Sequence, residues 1–145
     1  MIYKRVEITE LKIPADIFKQ MVAQAKAQVP VEACGILAGR DNRVEKFYEM
    51  TNIDNSRDHF MMEPKEQFAV AKDIRAAGLE MLAIYHSHPA TPARPSAEDI
   101  RLAFMPDVTH VILSLQESKC PAVKGFLIEN GNVTNVPVKI SKEQR

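Results

Sequence analysis

Two histidines lie one residue apart in the segment His86-Ser87-His88-Pro89, at the end of the apolar run of residues 80–87. Side chains on a strand alternate between faces, so both imidazoles point the same way, roughly 7 Å apart along the chain. Two imidazoles at this spacing can converge on one metal ion, since zinc binds histidine nitrogens at about 2.0–2.1 Å. An isolated H-x-H pair is more often ordinary, however, and a zinc site needs three or four ligands.

A third candidate ligand follows the histidines in Ser96-x-x-Asp99, which comes after Pro95 and before Ile100. The pattern is typical of a capping box, with Ser96 at the N-cap and Asp99 at the third helical position. The proline-rich loop 89–95 is short enough to fold the first helical turn back towards the strand end. Asp99 then supplies an oxygen ligand, and three protein ligands with water in the fourth position are typical of catalytic zinc.

Hydrolysis by a zinc-bound water also needs a proton acceptor, and Glu32 is the candidate. It follows Pro30 and precedes the apolar, glycine-containing segment 33–39. Spacing alone favours a solvated glutamate at a helix–strand junction, because exposed carboxylates are the rule. The residues by themselves therefore leave the role of Glu32 open.

The elements that must position these residues are predicted from periodicity and turn signals. Helices are expected at about 14–28, from Pro64 to near Gly78, and at 96–104. Strands are expected at 2–9, 33–39, 44–50, 60–62, 80–87, 108–115, 123–129 and 133–138, with turns at 40–42 and at Asn130-Gly131. This mixture predicts an α/β or α+β fold with a central mixed sheet flanked by helices.

Composition restricts the class of protein. The 145 residues fit one domain spanning 1–145, and the formal net charge of zero gives no indication of a nucleic-acid or anionic-membrane partner. The N-terminus lacks a signal-peptide pattern and no apolar run approaches about 20 residues, so a cytoplasmic protein is expected. Two cysteines do not make a disulfide framework, and Cys34 is interpreted as a small buried hydrophobe.

Taken together, these residues resemble the JAMM motif of the MPN+ metalloproteases. That motif combines a distant glutamate with H-x-H-P, a spacer and S-x-x-D. Here it corresponds to Glu32, to His86-Ser87-His88-Pro89, and to Ser96 and Asp99, with six residues between Pro89 and Ser96. The resemblance extends from about residue 10 to 138. It implies a fold similar to that of cytidine deaminases, a mixed sheet flanked by helices.

The resemblance also implies a role for each residue. His86, His88 and Asp99 would hold Zn²⁺, Glu32 would take a proton from the bound water and pass it to the leaving amine, and Ser96 would steady the tetrahedral intermediate. The implied activity is cleavage of an amide or isopeptide bond at the C-terminal tail of a ubiquitin-like or sulfur-carrier protein ending in Gly-Gly. A tail without side chains can enter a narrow cleft in extended form.

Two other functions are compatible with the sequence. One is a non-catalytic MPN-type interaction scaffold, and the other is a zinc hydrolase that acts on a small amide. Absence of stoichiometric metal would favour the first, and turnover of small amides but not of tailed proteins would favour the second. The natural substrate and the oligomeric state are not determined by the sequence.

Overall fold

The computed structural model describes residues 10–142, which form three helices and one eight-stranded mixed sheet. The helices are α1 (Ala15–Gln28), α2 (Pro64–Ala76) and α3 (Ala97–Leu102). The strands are β1 (Leu11–Pro14), β2 (Cys34–Arg40), β3 (Arg43–Met50), β4 (Glu80–His88), β5 (Thr109–Ser114), β6 (Ala122–Glu129), β7 (Asn132–Val136) and β8 (Val138–Ser141). The predicted class, a mixed sheet flanked by helices, is confirmed; the strand predicted at 2–9 lies outside the described residues.

The order of strands in the sheet is β7-β6-β5-β4-β2-β3-β1-β8. The central strand β4 runs antiparallel to β2 and parallel to β5. The pairing joins Cys34 to His86, which places the start of β2 beside the end of β4. The segment just before β2, which contains Glu32, is thereby held near the two histidines.

Helix α1 covers one face of the sheet. Its buried residues Ile17, Met21 and Ala25 recur every four positions and so form one stripe along the helix. This stripe packs in a core with Leu37 and Tyr85, and the Tyr85 hydroxyl donates to the Met21 carbonyl at 3.3 Å. Helix α1 thus fixes the inner face of the strand that carries the histidines.

The alternation of β4 directs the histidines to the opposite face. Ala83 and Tyr85 belong to the core against α1, whereas Ile84 packs with the core that includes Ile74 of α2. His86 and His88 continue the Ile84 row, because residues two apart on a strand share a face. Helix α3 packs beside them over a third small core through Ile100, together with Ala103 just after the helix end.

Both tight turns predicted from the sequence are confirmed. Asp41 and Asn42 join β2 to β3 with φ of 54° and 60°, and Asn130 and Gly131 join β6 to β7 with φ of 52° and 81°. Positive φ at both central residues defines the hairpin turn that suits the right-handed twist of the strands, and Asn, Asp and Gly tolerate it best.

Several predicted boundaries are wrong. The strand expected at 133–138 divides at Pro137, whose missing N–H interrupts the ladder, and β8 instead pairs with β1. Segment 60–62 is no strand and makes only an isolated bridge from Met62 to Asn52. Helix α3 ends at Leu102 rather than 104, and Pro14 ends β1 as the N-cap of α1 rather than lying in the helix. In the described part of the chain, no helix is long and apolar enough to cross a membrane.

Candidate active site

Three side chains converge at the end of β4. The Nε2 atoms of His86 and His88 lie 3.2 Å apart, and Asp99 Oδ2 lies 3.2 Å from the first and 3.1 Å from the second. The three atoms form a nearly equilateral triangle, and the three side chains are at most 7% exposed. The strand and the first turn of α3 therefore bring the two histidines and Asp99 together at one point.

The size of this triangle suits a small divalent cation. Tetrahedral ligands at about 2.0–2.1 Å from zinc lie about 3.3 Å from one another. The observed edges of 3.1–3.2 Å are close to that value. Two neutral imidazoles and one carboxylate are also the nitrogen and oxygen donors that zinc accepts. The donor set therefore fits the ion that the family resemblance implies.

Hydrogen bonds orient the ligand atoms. His88 Nδ1 lies 2.8 Å from the carbonyl oxygen of Pro92, so Nδ1 donates to that carbonyl and Nε2, which faces Asp99, is the nitrogen available to a metal in place of a proton. Asp99 Oδ2 also accepts from the Ser96 amide at 2.9 Å, and Ser96 Oγ accepts from the Asp99 amide at 3.0 Å. The predicted capping box is present, and it holds the carboxylate that faces the histidines.

The electrostatics of the triangle favour a charged Asp99. Burial by itself raises the pKa of Asp99, but the hydrogen bonds and charges of His86 and His88 hold that pKa well below its usual range. Burial lowers the pKa of His86. Burial also acts to lower the pKa of His88, yet its bonds to Asp99 and the Pro92 carbonyl, with the charges of Asp99 and Glu32, raise it overall.

Glu32 completes the group. A carboxylate oxygen of Glu32 and one ring nitrogen each of His86 and His88 lie within 4.8 Å of one another. Glu32 is 2% exposed, and its Oε1 has no hydrogen-bond partner among the described residues. Burial raises the pKa of Glu32 to about 8, with a smaller raising effect from the Asp99 charge and a lowering one from His88. A buried, unsatisfied carboxyl oxygen of raised pKa indicates a place for a cation or a polar reactant.

The backbone beside Glu32 is tied to the histidine strand by Ser87. The amide of Ala33 donates to Ser87 Oγ at 2.8 Å, and the amide of Ser87 donates to the Ala33 carbonyl at 2.9 Å. Ser87 lies between the histidines but points to the other side of the strand, as the alternation predicted. It therefore connects the two halves of the site without entering the ligand triangle.

A wall of the site that the sequence did not predict comes from the loop 51–63. The Phe60 ring stacks on the His86 ring with centroids 4.8 Å apart and planes inclined by 26°. Asn52 in the same loop donates from Nδ2 to the Glu32 carbonyl at 3.0 Å. The polar composition of residues 51–58 indicates only a loop, the strand expected at 60–62 gives no hint of the stacking on His86, and no motif marks Asn52.

The cysteine near Glu32 has no sign of activation. Cys34 is fully buried, burial raises its thiol pKa to about 12, and its Sγ lies 3.7 Å from the Met50 carbonyl oxygen. A protonated, buried thiol is a poor nucleophile. The interpretation of Cys34 as a packing residue is confirmed.

Comparison with known proteins identifies the family. Residues 14–124 match the model described as prokaryotic homologs of the JAB domain, and the chain belongs to this family. The predicted resemblance to the JAMM/MPN+ proteins is thereby confirmed. The chain is similar to the solution structure of protein DSY2949 from Desulfitobacterium hafniense, with a TM-score of 0.85, 43% identity, and coverage of 92% of this chain and 94% of that one.

Several relatives carry functional names, and two of them match over most of their length. A CysO-cysteine peptidase of Mycobacterium tuberculosis is 34% identical over 145 residues, which cover 99% of each chain. A protein of Thermus thermophilus named "Probable TtuB-protein conjugate cleaving protease" is 32% identical over 122 residues, covering 83% of this chain and 78% of the relative. The predicted enzyme class, a JAMM-type peptidase, is confirmed by these relatives.

Proposed function

We propose that this protein is a zinc-dependent peptidase that hydrolyses the amide bond at the C-terminal tail of a ubiquitin-like or sulfur-carrier protein. The observation that carries the proposal is the buried triangle of two imidazole nitrogens and one carboxylate oxygen, with the Glu32 carboxyl beside it. Three ligands leave a position for water, which is the arrangement of catalytic rather than structural zinc sites.

In this proposal His86, His88 and Asp99 hold the zinc ion. When bound, zinc supplies an acidic water and polarises the carbonyl of the scissile bond. Glu32 accepts a proton from the attacking water and delivers it to the departing amine. Its buried position suits this role, because burial raises the pKa of Glu32 to about 8, and a carboxyl whose pKa lies close to the working pH can both take and give a proton.

Ser96 combines two tasks. Its Oγ accepts the Asp99 amide hydrogen at 3.0 Å, while the hydroxyl hydrogen is left to donate elsewhere. A donor aimed at a developing oxyanion contributes about 10²–10³ in rate in well-studied hydrolases. We assign Ser96 this donor role, with the cap as its structural task.

The names of the relatives support the proposed substrate class. The relative that matches over nearly its whole length is named for cleavage of CysO-cysteine, a sulfur-carrier adduct, and the other is named for TtuB-protein conjugates. A flexible tail that ends in Gly-Gly fits a buried reaction centre, because it brings no side chains into the cleft. We propose that such a tail, in the cytoplasm, is what the site receives.

The decisive experiment compares wild type, Glu32→Gln and the matched exposed variant Glu117→Gln. The substrates are a ubiquitin-fold carrier with a Gly-Gly tail joined to cysteine, the same carrier joined to a lysine side chain, and a small acyl amide. We expect zinc in stoichiometric amount in all three proteins. We also expect a loss of about 10²–10⁴ in kcat/KM for Glu32→Gln alone, the range of general acid–base catalysis.

Each other result has a defined meaning. Full activity of Glu32→Gln with zinc retained contradicts the proton-transfer role. Turnover of the small amide but not of the carriers replaces the proposed substrate class with a small amide. Purified protein that neither contains nor binds zinc indicates a non-catalytic scaffold instead.

A further inference from the structure

Glu32 lies outside regular secondary structure, so its position depends on individual backbone contacts. The first residue of β2 is Cys34, and the ladder therefore begins after Glu32. The Glu32 amide donates to the Ser56 carbonyl at 2.8 Å, and the Glu32 carbonyl accepts from Asn52 Nδ2 at 3.0 Å. Both backbone groups of Glu32 are thus held by the loop 51–63 rather than by the sheet.

Asn52 organises that loop with all the hydrogen bonds its amide can make. Besides the bond to Glu32, Nδ2 donates to the His59 carbonyl at 3.1 Å. Its Oδ1 accepts from the amides of Asp54 and Met61, each at 3.1 Å. Two carbonyls lie beside Nδ2 and two N–H groups lie beside Oδ1. A flipped amide would place its N–H donors against those N–H groups, so the orientation of the amide is fixed.

The same side chain also binds the backbone on both sides of Phe60. Its partners, the His59 carbonyl and the Met61 amide, belong to the residues immediately before and after Phe60. Phe60 stacks on His86 at a centroid distance of 4.8 Å. One amide therefore fixes the peptide that carries Glu32 and the aromatic wall against a histidine of the triangle.

The base of the loop is fixed separately. Thr51 donates from its amide and from its hydroxyl to the Glu66 carboxylate, each at 2.7 Å, and the Thr51 carbonyl accepts from the Glu63 amide at 3.2 Å. A change at Asn52 therefore leaves the loop anchored to α2 at its ends. What it releases is the middle of the loop, where Ser56 and Phe60 meet the site.

From these contacts we infer that Asn52 is a positioning residue, which holds the Glu32 carboxyl against the His86–His88–Asp99 triangle through the backbone of Glu32 and through Phe60. The inference rests on the proposed function for its catalytic consequence, although the contacts themselves do not. Asn52 touches no metal ligand directly and acts only through other residues. Misplacement of a reacting group by about 1 Å can cost about 10²-fold in rate, so a loosened Glu32 lowers turnover.

The test replaces Asn52 with Asp, which keeps the Oδ1 acceptor but removes both donors, and with Ser, which adds no charge. The matched control is Asn55→Asp, in the same loop at an exposed position with φ of 48°, a conformation that Asp tolerates. We expect both Asn52 variants to lower kcat about 10- to 100-fold while KM stays within about twofold and zinc content is unchanged. The control is expected to match wild type.

A second readout needs no activity. In metal-free protein, amide hydrogen exchange at Glu32 is expected to be at least about tenfold faster in both Asn52 variants than in wild type and Asn55→Asp, because the Ser56 carbonyl is released. Thermal unfolding identifies any variant that fails to fold. The exchange rate at Glu32 is then taken from the Asn52 variant that does fold. Unchanged Glu32 exchange in a folded Asn52 variant overturns the inference.

Combining Asn52→Asp with Glu32→Gln distinguishes a loss of Glu32 positioning from a general disturbance of the structure. If Asn52 acts through Glu32, the double variant has the kcat of Glu32→Gln alone, because the loss is non-additive. An equal further loss in both backgrounds shows a merely structural effect and overturns the inference. Full activity of Glu32→Gln by itself overturns the proposed function instead, so the two failures are distinguishable.

Discussion

His86, His88 and Asp99 come from one short stretch of chain, whereas Glu32 reaches them from a distant segment. The first group is aimed by a strand end and a capping box, both of which are local structures. Glu32 is held by contacts from Ser56, Asn52 and, through Ala33, from Ser87. In the proposed function, the triangle is the metal side of the site and is preformed, whereas Glu32 is the proton-transfer side and depends on how separate segments pack.

This difference between the triangle and Glu32 predicts two kinds of variant. Under the proposed function, a change at His86, His88 or Asp99 removes a metal ligand and with it the ion. A change on the Glu32 side leaves the ion in place and lowers the rate, as expected for the Asn52 variants above. Metal content and turnover, measured together, therefore assign a variant to one side of the site or the other.

The largest effect is expected for Asp99→Asn, which keeps the shape of the side chain and an acceptor for the Ser96 amide but removes the anionic ligand. Loss of a residue that merely supports a ligand costs about 10–100-fold in metal affinity, so loss of the ligand itself is expected to exceed 100-fold, with activity at limiting zinc falling in parallel. Zinc titration and kcat/KM measure this, with exposed Asp107→Asn as the control. Wild-type zinc affinity in Asp99→Asn contradicts the assignment of Asp99 as a ligand.

A smaller loss is expected for Ser96→Ala, which separates the two tasks of the capping serine. Loss of the cap costs about 1 kcal/mol of stability, and loss of an oxyanion donor costs about 10²–10³ in kcat. Ser96→Gly removes the hydroxyl but weakens the N-cap by only about a few tenths of a kcal/mol, and it brings no side-chain donor. We expect Ser96→Gly to recover most of the melting temperature but not the activity. Recovery of both shows that Ser96 only begins the helix.

The smallest effect concerns the stability of the metal-free protein and tests the burial of Glu32. Its pKa is about 8 in the folded protein and 4.5 ordinarily, so between these values the folded state holds a proton that the unfolded chain has released. Wild-type stability therefore falls as pH rises through this window. Glu32→Gln lacks that loss, so its unfolding free energy is expected to exceed that of wild type by an amount that grows as pH rises from 4 to 8, with little difference at pH 4.

Chemical denaturation in the presence of a chelator measures this difference at several pH values. Glu117→Gln, which changes an exposed carboxylate, is the control and is expected to parallel wild type. A difference between Glu32→Gln and wild type that does not vary with pH contradicts the raised pKa. A cation beside Glu32 is expected to reduce this loss of stability at high pH, since a positive charge favours the ionised form of the carboxyl.

The sequence-based prediction of the fold is likewise accurate for local features and inaccurate for features that depend on distant segments. The β2–β3 and β6–β7 turns were predicted because Asp, Asn and Gly at positive φ leave a local signal. The β7–β8 division at Pro137 was missed, although the proline was visible, because pairing of β8 with β1 depends on the far edge of the sheet. The apolar side chains of segment 60–62 are typical of a strand, but in the structure they stack on His86 and pack in the core without forming a ladder.

The sequence by itself determined the donor triangle: two histidines on one strand face and an aspartate at a helix start. Strand alternation and helix capping act over a few residues, so near neighbours in the chain suffice to specify them. Only the tertiary structure decided that Glu32 is buried beside the triangle, that its pKa is raised, and that Asn52 and Phe60 form the wall around it. These features arise from contacts between distant segments and from exclusion of solvent, which residue periodicity does not encode.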